Sequence, residues 1–227
     1  MTVFAVKAPP LPTVPIVGSD LVFPVRRILC VGRNYAAHRR EMGGDDRDPP
    51  FFFAKPADAV AALGGAIPYP SGTDDLHHEV ELVIALGGGG ADVDVQSALG
   101  LIHGYAVGVD LTRRDLQAAA KAKGHPWEAG KAFDHSAPIS AIHPWNGAQP
   151  EGRIWLTVNG ALRQEARIAN MIWNTAEIIA KASQLWRLAP GDLIFTGTPE
   201  GVGPLVKGDQ VVCGIEDVAD LDFTIVA

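Results

Sequence analysis

The chain has 227 residues, 47% of them hydrophobic and 20% charged, which suits one globular domain with a sizeable core. Its formal net charge of −7 argues against nucleic-acid binding and against docking on anionic lipid, while leaving room for a small basic pocket that takes an anionic substrate. The 25 glycines and 17 prolines fall at scattered breaks, not in repeats, and predict many short elements joined by turns.

In chain order, residues 1–25 are interrupted by Pro9, Pro10, Pro12 and Pro15 and read as an extended, proline-rich arm packed on the body or on a partner subunit. They have neither the basic start nor the unbroken apolar stretch of a signal peptide, and no run of 18 apolar residues predicts a membrane span. Residues 26–227 form the expected main domain. Residues 27–32 read as a strand, 34–42 as a short helix, 43–50 as a loop and 51–54 as an apolar strand. A longer strand is expected over 78–86, a glycine turn over 87–90, a helix over 95–102 and a strand over 103–111. Thr112 is placed as the N-cap of a helix over 112–123. Asn159-Gly160 between RIWLTV and ALRQEARI is a two-residue hairpin signal. A helix over 175–186 is assigned Thr175 as its cap, and DLIFTG, VVCGI and DFTIVA close the chain as strands. Strands outnumber helices without regular alternation, which argues for a β-rich α+β or mostly β domain and against a doubly wound sheet. Cys30 and Cys213 lie in apolar strand-like runs and read as buried free thiols, the usage of a reducing cytoplasm.

The densest chemistry is Glu79-Val80-Glu81 inside an apolar strand. Residues two apart share a face, so two carboxylates stand about 6–7 Å apart by strand geometry, with Val80 and Leu82 facing a core. Two readings compete: a solvated acidic face, or a cation between the two charges. Asp110, at the end of the strand YAVGVD, adds a third carboxylate where binding residues tend to sit. Three carboxylates suit a hard cation such as Mg²⁺, Mn²⁺ or Ca²⁺, and the adjacent His77 and His78 keep zinc open.

His38 and Glu41, three apart in the expected short helix, share a face and could work as a water-activating dyad or stand as a surface pair. Arg114 and Gln117 follow Asp110 on one helical face, and Lys131 and Arg33 lie near the same elements. Each could pair with a substrate carboxylate or be an ordinary surface charge. The glycine-rich TGTPEGVG, residues 196–203, lacks the Lys-Ser/Thr of a phosphate loop and reads as backbone N–H groups with the Thr198 hydroxyl around an anion, or as a plain tight turn.

Taken together, CVGRNYAAH (30–38), FFFAKP (51–56), HHEVELV (77–83), GYAVGVDLTRRDLQ (104–117), KGHPWEAGKAFD (123–134), NMIWNTAEII (170–179) and IFTGTPEGVGP (194–204) resemble the fumarylacetoacetate hydrolase superfamily from about residue 26 to 227. The resemblance implies Glu79, Glu81 and Asp110 as ligands of Mg²⁺ or Mn²⁺, and His38–Glu41 as the catalytic dyad. It implies Gln117 and Lys131 as catalytic, oxyanion-stabilising groups, Arg33, Arg114 and Thr198 as substrate-binding, a catalytic domain over 26–227 with an α+β, β-rich mixed roll or sandwich fold and short helices, and a homodimer. Val31 stands where some larger members have a further metal-binding aspartate, which points to the smaller branch. Within that branch the chain looks most like bacterial enzymes that hydrolyse 3-fumarylpyruvate to fumarate and pyruvate in gentisate-type aromatic degradation. Acylpyruvases, oxaloacetate decarboxylases and heptadienedioate isomerases or decarboxylases share the same site.

Overall fold

A computed structural model describes residues 4–35 and 48–227. Two short strands, β1 (Thr13–Pro15) and β2 (Val22–Pro24), pair antiparallel within the expected arm. They are followed by β3 (Arg27–Gly32), β4 (Phe51–Lys55), β5 (Val60–Ala62), β6 (Gly65–Pro68), β7 (Leu76–His78) and β8 (Val80–Leu86). Helix α1 (Val95–Ala98) and a 3-10 turn lead into β9 (Ile102–Val109) and β10 (Thr112–Arg113). Then come α2 (Arg114–Lys123), α3 (Glu128–Lys131), β11 (Ala137–Ile139) and β12 (His143–Pro144). The chain closes with β13 (Arg153–Val158), β14 (Ala161–Arg167), α4 (Thr175–Leu185), β15 (Asp192–Phe195), β16 (Gly203–Leu205), β17 (Gln210–Ile215) and β18 (Ala219–Val226).

The central mixed sheet has the order β4-β3-β15-β8-β9-β11-β5, with β12 on β9. A second sheet runs β14-β13-β17-β18-β6, and a small one β10-β7-β16. Period-two patterning explains the layering. Leu82, Ile84 and Leu86 of β8, with Val107 and Val109 of β9, face a core shared with the second sheet and α4. Val83 and Ala85, with Ala106 and Phe195, face a smaller core that Val14, Phe23 and Val25 of the arm region complete. The arm thus packs at least in part on its own body. The β-rich α+β architecture expected from the sequence is the one observed.

Several local expectations change. The long strand breaks at Glu79 into β7 and β8, although Asp110 N–H still donates to Glu79 O at 2.8 Å and keeps the ladder in register. Thr112 is no helix cap. It lies in β10, and α2 begins at Arg114 without a side-chain cap. The cap of α4 is Asn174, not Thr175. Its side chain accepts from Glu177 N–H while Glu177 accepts from Asn174 N–H, a reciprocal capping box. Of the helix expected over 34–42, only Asn34 and Tyr35 are described, and Tyr35 forms an antiparallel bridge to Met171. The hairpin holds as expected, with Asn159 and Gly160 both at positive φ.

Candidate metal centre and active site

Three strand ends build the site. Glu81 sits in β8, Glu79 at the break before it, and Asp110 just past β9. All three are buried, and one carboxylate oxygen from each lies within 4.8 Å of the others. Burial settles the first choice the sequence left open: these are not solvated acids. Among the described residues no imidazole joins them: His78 Nδ1 pairs with Gln164 Oε1 at 2.9 Å and His77 Nε2 with Asp75 at 2.9 Å.

Buried like charges need compensation. Lys131, itself 2% exposed, donates to Glu79 Oε2 at 2.9 Å, Asp110 Oδ2 at 2.6 Å and Thr112 Oγ1 at 2.6 Å. Lys55, 1% exposed, places Nζ 2.8 Å from Asp110 Oδ1 and donates to the carbonyls of Leu111 and Lys131. Arg114 donates to Glu79 Oε1. Burial alone would raise the Glu79 carboxyl, but Lys131 and Arg114 more than reverse it and hold the group far below the usual carboxylate range. Burial would likewise lower the Lys131 ammonium, and Asp110 with Glu79 raise it instead.

Glu81 is different. Among the described residues it has no cationic side chain in contact, and its one hydrogen bond is from Gly197 N–H to Oε2 at 2.7 Å. Burial, then the charges of Asp110 and Glu79, push its carboxyl well above the ordinary value. Gly197 has φ +97, and a Cβ there would stand 2.7 Å from Asn34 Cβ, so only glycine brings this N–H to Glu81.

A cavity of about 380 Å³ opens over the acids. Glu79 and Glu81 line it, with Lys131 and Thr198, the α2 face carrying Arg114 and Gln117, and Arg33 beside the aromatic wall of Phe51, Phe53 and Trp127. The volume is that of a small-molecule site. The structure thus gathers eight of the ten sequence-derived site residues in or directly beneath one cavity. The other two, His38 and Glu41, lie outside the described residues.

Several of these side chains are engaged in ways the sequence did not disclose. Gln117 Oε1 accepts from Arg114, and its amide N–H₂ has no partner among the described residues. All three Lys131 protons are held by Glu79, Asp110 and Thr112, so its immediate work is to balance the acids. The Thr198 hydroxyl donates to Val80 O at 2.9 Å and accepts from Gln164 Nε2 at 2.8 Å. The glycine-rich turn expected to cradle an anion therefore spends its Gly197 N–H on Glu81.

Residues 27–226 match the family profile described as Fumarylacetoacetate (FAA) hydrolase C-terminal. The chain belongs to this family. Among its relatives is the fumarylpyruvate hydrolase of Ralstonia sp, 44% identical over 176 residues, covering 77% of this chain and 92% of that one. The mitochondrial oxaloacetate tautomerase of Mus musculus is 42% identical over 202 residues, covering 88% and 91%. A crystal structure of fumarylpyruvate hydrolase from Pseudomonas aeruginosa in complex with Mn²⁺ and pyruvate superposes with a TM-score of 0.93. It is 48% identical, with 98% of this chain and 99% of that chain covered. Relatives named for hydrolysis and for tautomerisation are thus similarly near, and identity alone does not choose between the two reactions.

Within this fumarylacetoacetate hydrolase family site, sequence reasoning missed Lys55, Thr112, Gln164 and Asn34. Gln164 sits in β14 and accepts from Val80 N–H at 3.1 Å besides holding His78 and Thr198. Asn34 donates to the carbonyls of Trp173 and Thr196 and accepts from Trp173 N–H, fixing the chain beside the cavity. Only Lys55 left a trace in the sequence, as a cation ending an otherwise apolar strand. Among the described residues no helix is long and apolar enough to cross a membrane.

Proposed function

We propose that this chain is a metal-dependent hydrolase that cleaves the C3–C4 bond of a 2,4-dioxo acid, most specifically 3-fumarylpyruvate to fumarate and pyruvate. The observation that carries the reading is the buried trio Glu79, Glu81 and Asp110 at the base of a basic, aromatic-walled cavity. The donor set fits a divalent ion. It is all oxygen, the oxygens converge, and among the described residues Glu81 has no side-chain cation of its own, which together suit Mg²⁺ or Mn²⁺. Such an ion supplies Lewis acidity toward the 2-oxo end of the substrate and the enolate that departs.

The protein's own groups do the remainder. His38, oriented by Glu41, takes a proton from the attacking water. The amide of Gln117 donates to the oxygen that becomes negative at C4. Collapse breaks C3–C4, releasing fumarate and the enolate of pyruvate, which takes up a proton. Arg33 and Arg114 favour an anionic substrate, with Arg114 acting mainly through Glu79 and Gln117. The family resemblance further supports a homodimer working in the cytoplasm, on a gentisate-type degradation route.

The discriminating experiment loads the purified protein with Mn²⁺ or Mg²⁺ and follows products. Equimolar fumarate and pyruvate from fumarylpyruvate supports the proposal. Release of CO₂ from oxaloacetate, or enol–keto interconversion of oxaloacetate without cleavage, in the absence of fumarylpyruvate turnover, would replace it with the decarboxylase or tautomerase reading that the oxaloacetate-named relatives favour.

A further inference from the structure

The cavity carries two positive side chains that its acids do not use. Glu79 pairs with Arg114 and Lys131, and Asp110 with Lys131 and Lys55, so three acids face three cations. Arg33 and Lys121 line the same cavity with no ion-pair partner among the described residues. In a chain of net charge −7, two cations at one cavity without an ion-pair partner among the described residues suit an anionic occupant.

Their placement is built, not incidental. Arg33 holds φ +60, a backbone region that side chains other than glycine enter at a cost and that clusters at functional sites. Its guanidinium lies 5.8 Å from the centroid of the Phe51 ring. Phe51 in turn meets Trp127 edge-on at 5.3 Å, and its ring occupies space a Cβ on Gly32 would fill. Trp127 lies four residues past the end of α2 and lines the same cavity, so Arg33 is tied to one of its aromatic walls. Lys121 lines the cavity from the last turn of α2. Arg114, Gln117, Ala118 and Lys121 stand at intervals of three, four and seven and all line the cavity. Arg114 touches Glu79 at the helix start, so Lys121 is about 10 Å further along the axis. A seven-carbon dioxo dicarboxylate spans roughly 7–8 Å between its end carbons, given bonds near 1.5 Å.

We propose that Arg33 and Lys121 form a carboxylate subsite for the far end of the substrate, with the aromatic Phe51–Trp127 wall beside the connecting chain, so that the cavity selects dicarboxylates over monocarboxylates. This rests on the reading of the site as a 2,4-dioxo-acid hydrolase, and it adds the residues that choose the acyl group.

The test uses the full-length, Mn²⁺-loaded protein and its Arg33→Met, Lys121→Met and doubly substituted forms. The kcat/KM ratio of fumarylpyruvate to acetylpyruvate is expected to fall roughly 10- to 100-fold for Arg33→Met and about 3- to 10-fold for the more exposed Lys121→Met. Titration with fumarate by calorimetry should show matching losses of affinity. An unchanged ratio in the double variant overturns the subsite while leaving the hydrolase reading intact. If the wild type cleaves neither dioxo acid, the hydrolase reading fails, and fumarate titration then decides the subsite. Binding to the wild type that the double variant loses supports it; equal binding, or none to the wild type, overturns it. Should Arg33→Met fail to fold, Lys121→Glu at its exposed position is read through the same ratio, where a fall supports the subsite and no change overturns it.

Discussion

Replacing Glu81 by Gln should make the metal-free protein more stable and its response to Mn²⁺ disappear. The substitution keeps the side-chain shape and an oxygen for Gly197 N–H, and it removes one buried charge. That charge lies within 4.8 Å of the Glu79 and Asp110 oxygens. Each like-charge pair at such a separation costs about 3–4 kcal/mol at an effective dielectric constant near 20. Lys55, Lys131 and Arg114 offset most of this through Glu79 and Asp110, leaving a net penalty on the order of 1–2 kcal/mol. For a chain of this length that is a rise in Tm of about 2–8 °C. Wild type, in contrast, should gain about 3 kcal/mol at a Mn²⁺ concentration 100 times its Kd. The pH dependence follows from the sign of the Glu81 shift. Burial and its acidic neighbours raise its folded pKa, so the penalty is absent below the ordinary carboxylate value and grows as pH rises through the raised one. The advantage of Glu81→Gln should grow in the same window. Thermal melts of both proteins with EDTA and with Mn²⁺, between pH 4 and 8, measure all of this. A metal-free Glu81→Gln that melts below wild type, and still gains as much from Mn²⁺, would refute the reasoning.

Three further substitutions probe the rest of the site. His38→Ala should abolish hydrolysis of fumarylpyruvate while keeping the Mn²⁺-induced rise in Tm; loss of that rise would make the histidine a ligand. Lys55→Met should leave Asp110 short of a buried counter-charge and cost roughly 3–5 kcal/mol by chemical denaturation, with part of the loss recovered by Mn²⁺. Gly197→Ala meets both a positive φ and the Asn34 Cβ, and should lower stability by about 1–3 kcal/mol and weaken Mn²⁺ binding, read by titration, because the Glu81 hydrogen bond moves with it.

What the sequence disclosed was local or periodic. Alternation placed Glu79 and Glu81 on one face and put Val80 and Leu82 in the core opposite. Asn159-Gly160 announced its hairpin because that turn demands two positive φ angles. The errors lie where two local signals compete. Thr112 and Thr175 both look like caps, but Asn174 outcompetes Thr175 through its reciprocal bonds with Glu177, and the Thr112 hydroxyl is drawn into the site by Lys131. The residues that were missed depend on pairing over long distances. Gln164 reaches His78 only because β14 and β7 come together, 86 residues apart in sequence. Lys55 meets Asp110 only because β4 lies across the central sheet from β9. No spacing rule reports such contacts. TGTPEGVG read as backbone N–H groups around an anion or as a tight turn, and neither reading told that the Gly197 N–H would go to a carboxylate of the protein itself.

The balance of charge around the acids bears on what the site is for. A centre meant only to hold a divalent ion would gain from leaving its carboxylates free of other cations, since each buried ammonium repels the incoming metal. Here Lys55, Lys131 and Arg114 equal Glu79, Glu81 and Asp110 in number, all three pairing with Glu79 or Asp110. On the proposed reading, a bound divalent ion therefore brings a surplus of two positive charges into a low-dielectric cavity. That surplus weakens ion binding, and it is useful only when an anion shares the site. A 2-oxo acid arrives as a carboxylate and becomes an enolate as its C–C bond breaks, so its negative charge increases where the surplus is concentrated. The lysines thus give up metal affinity for stabilisation that appears as charge develops, an arrangement suited to turnover and poorly suited to a purely structural ion.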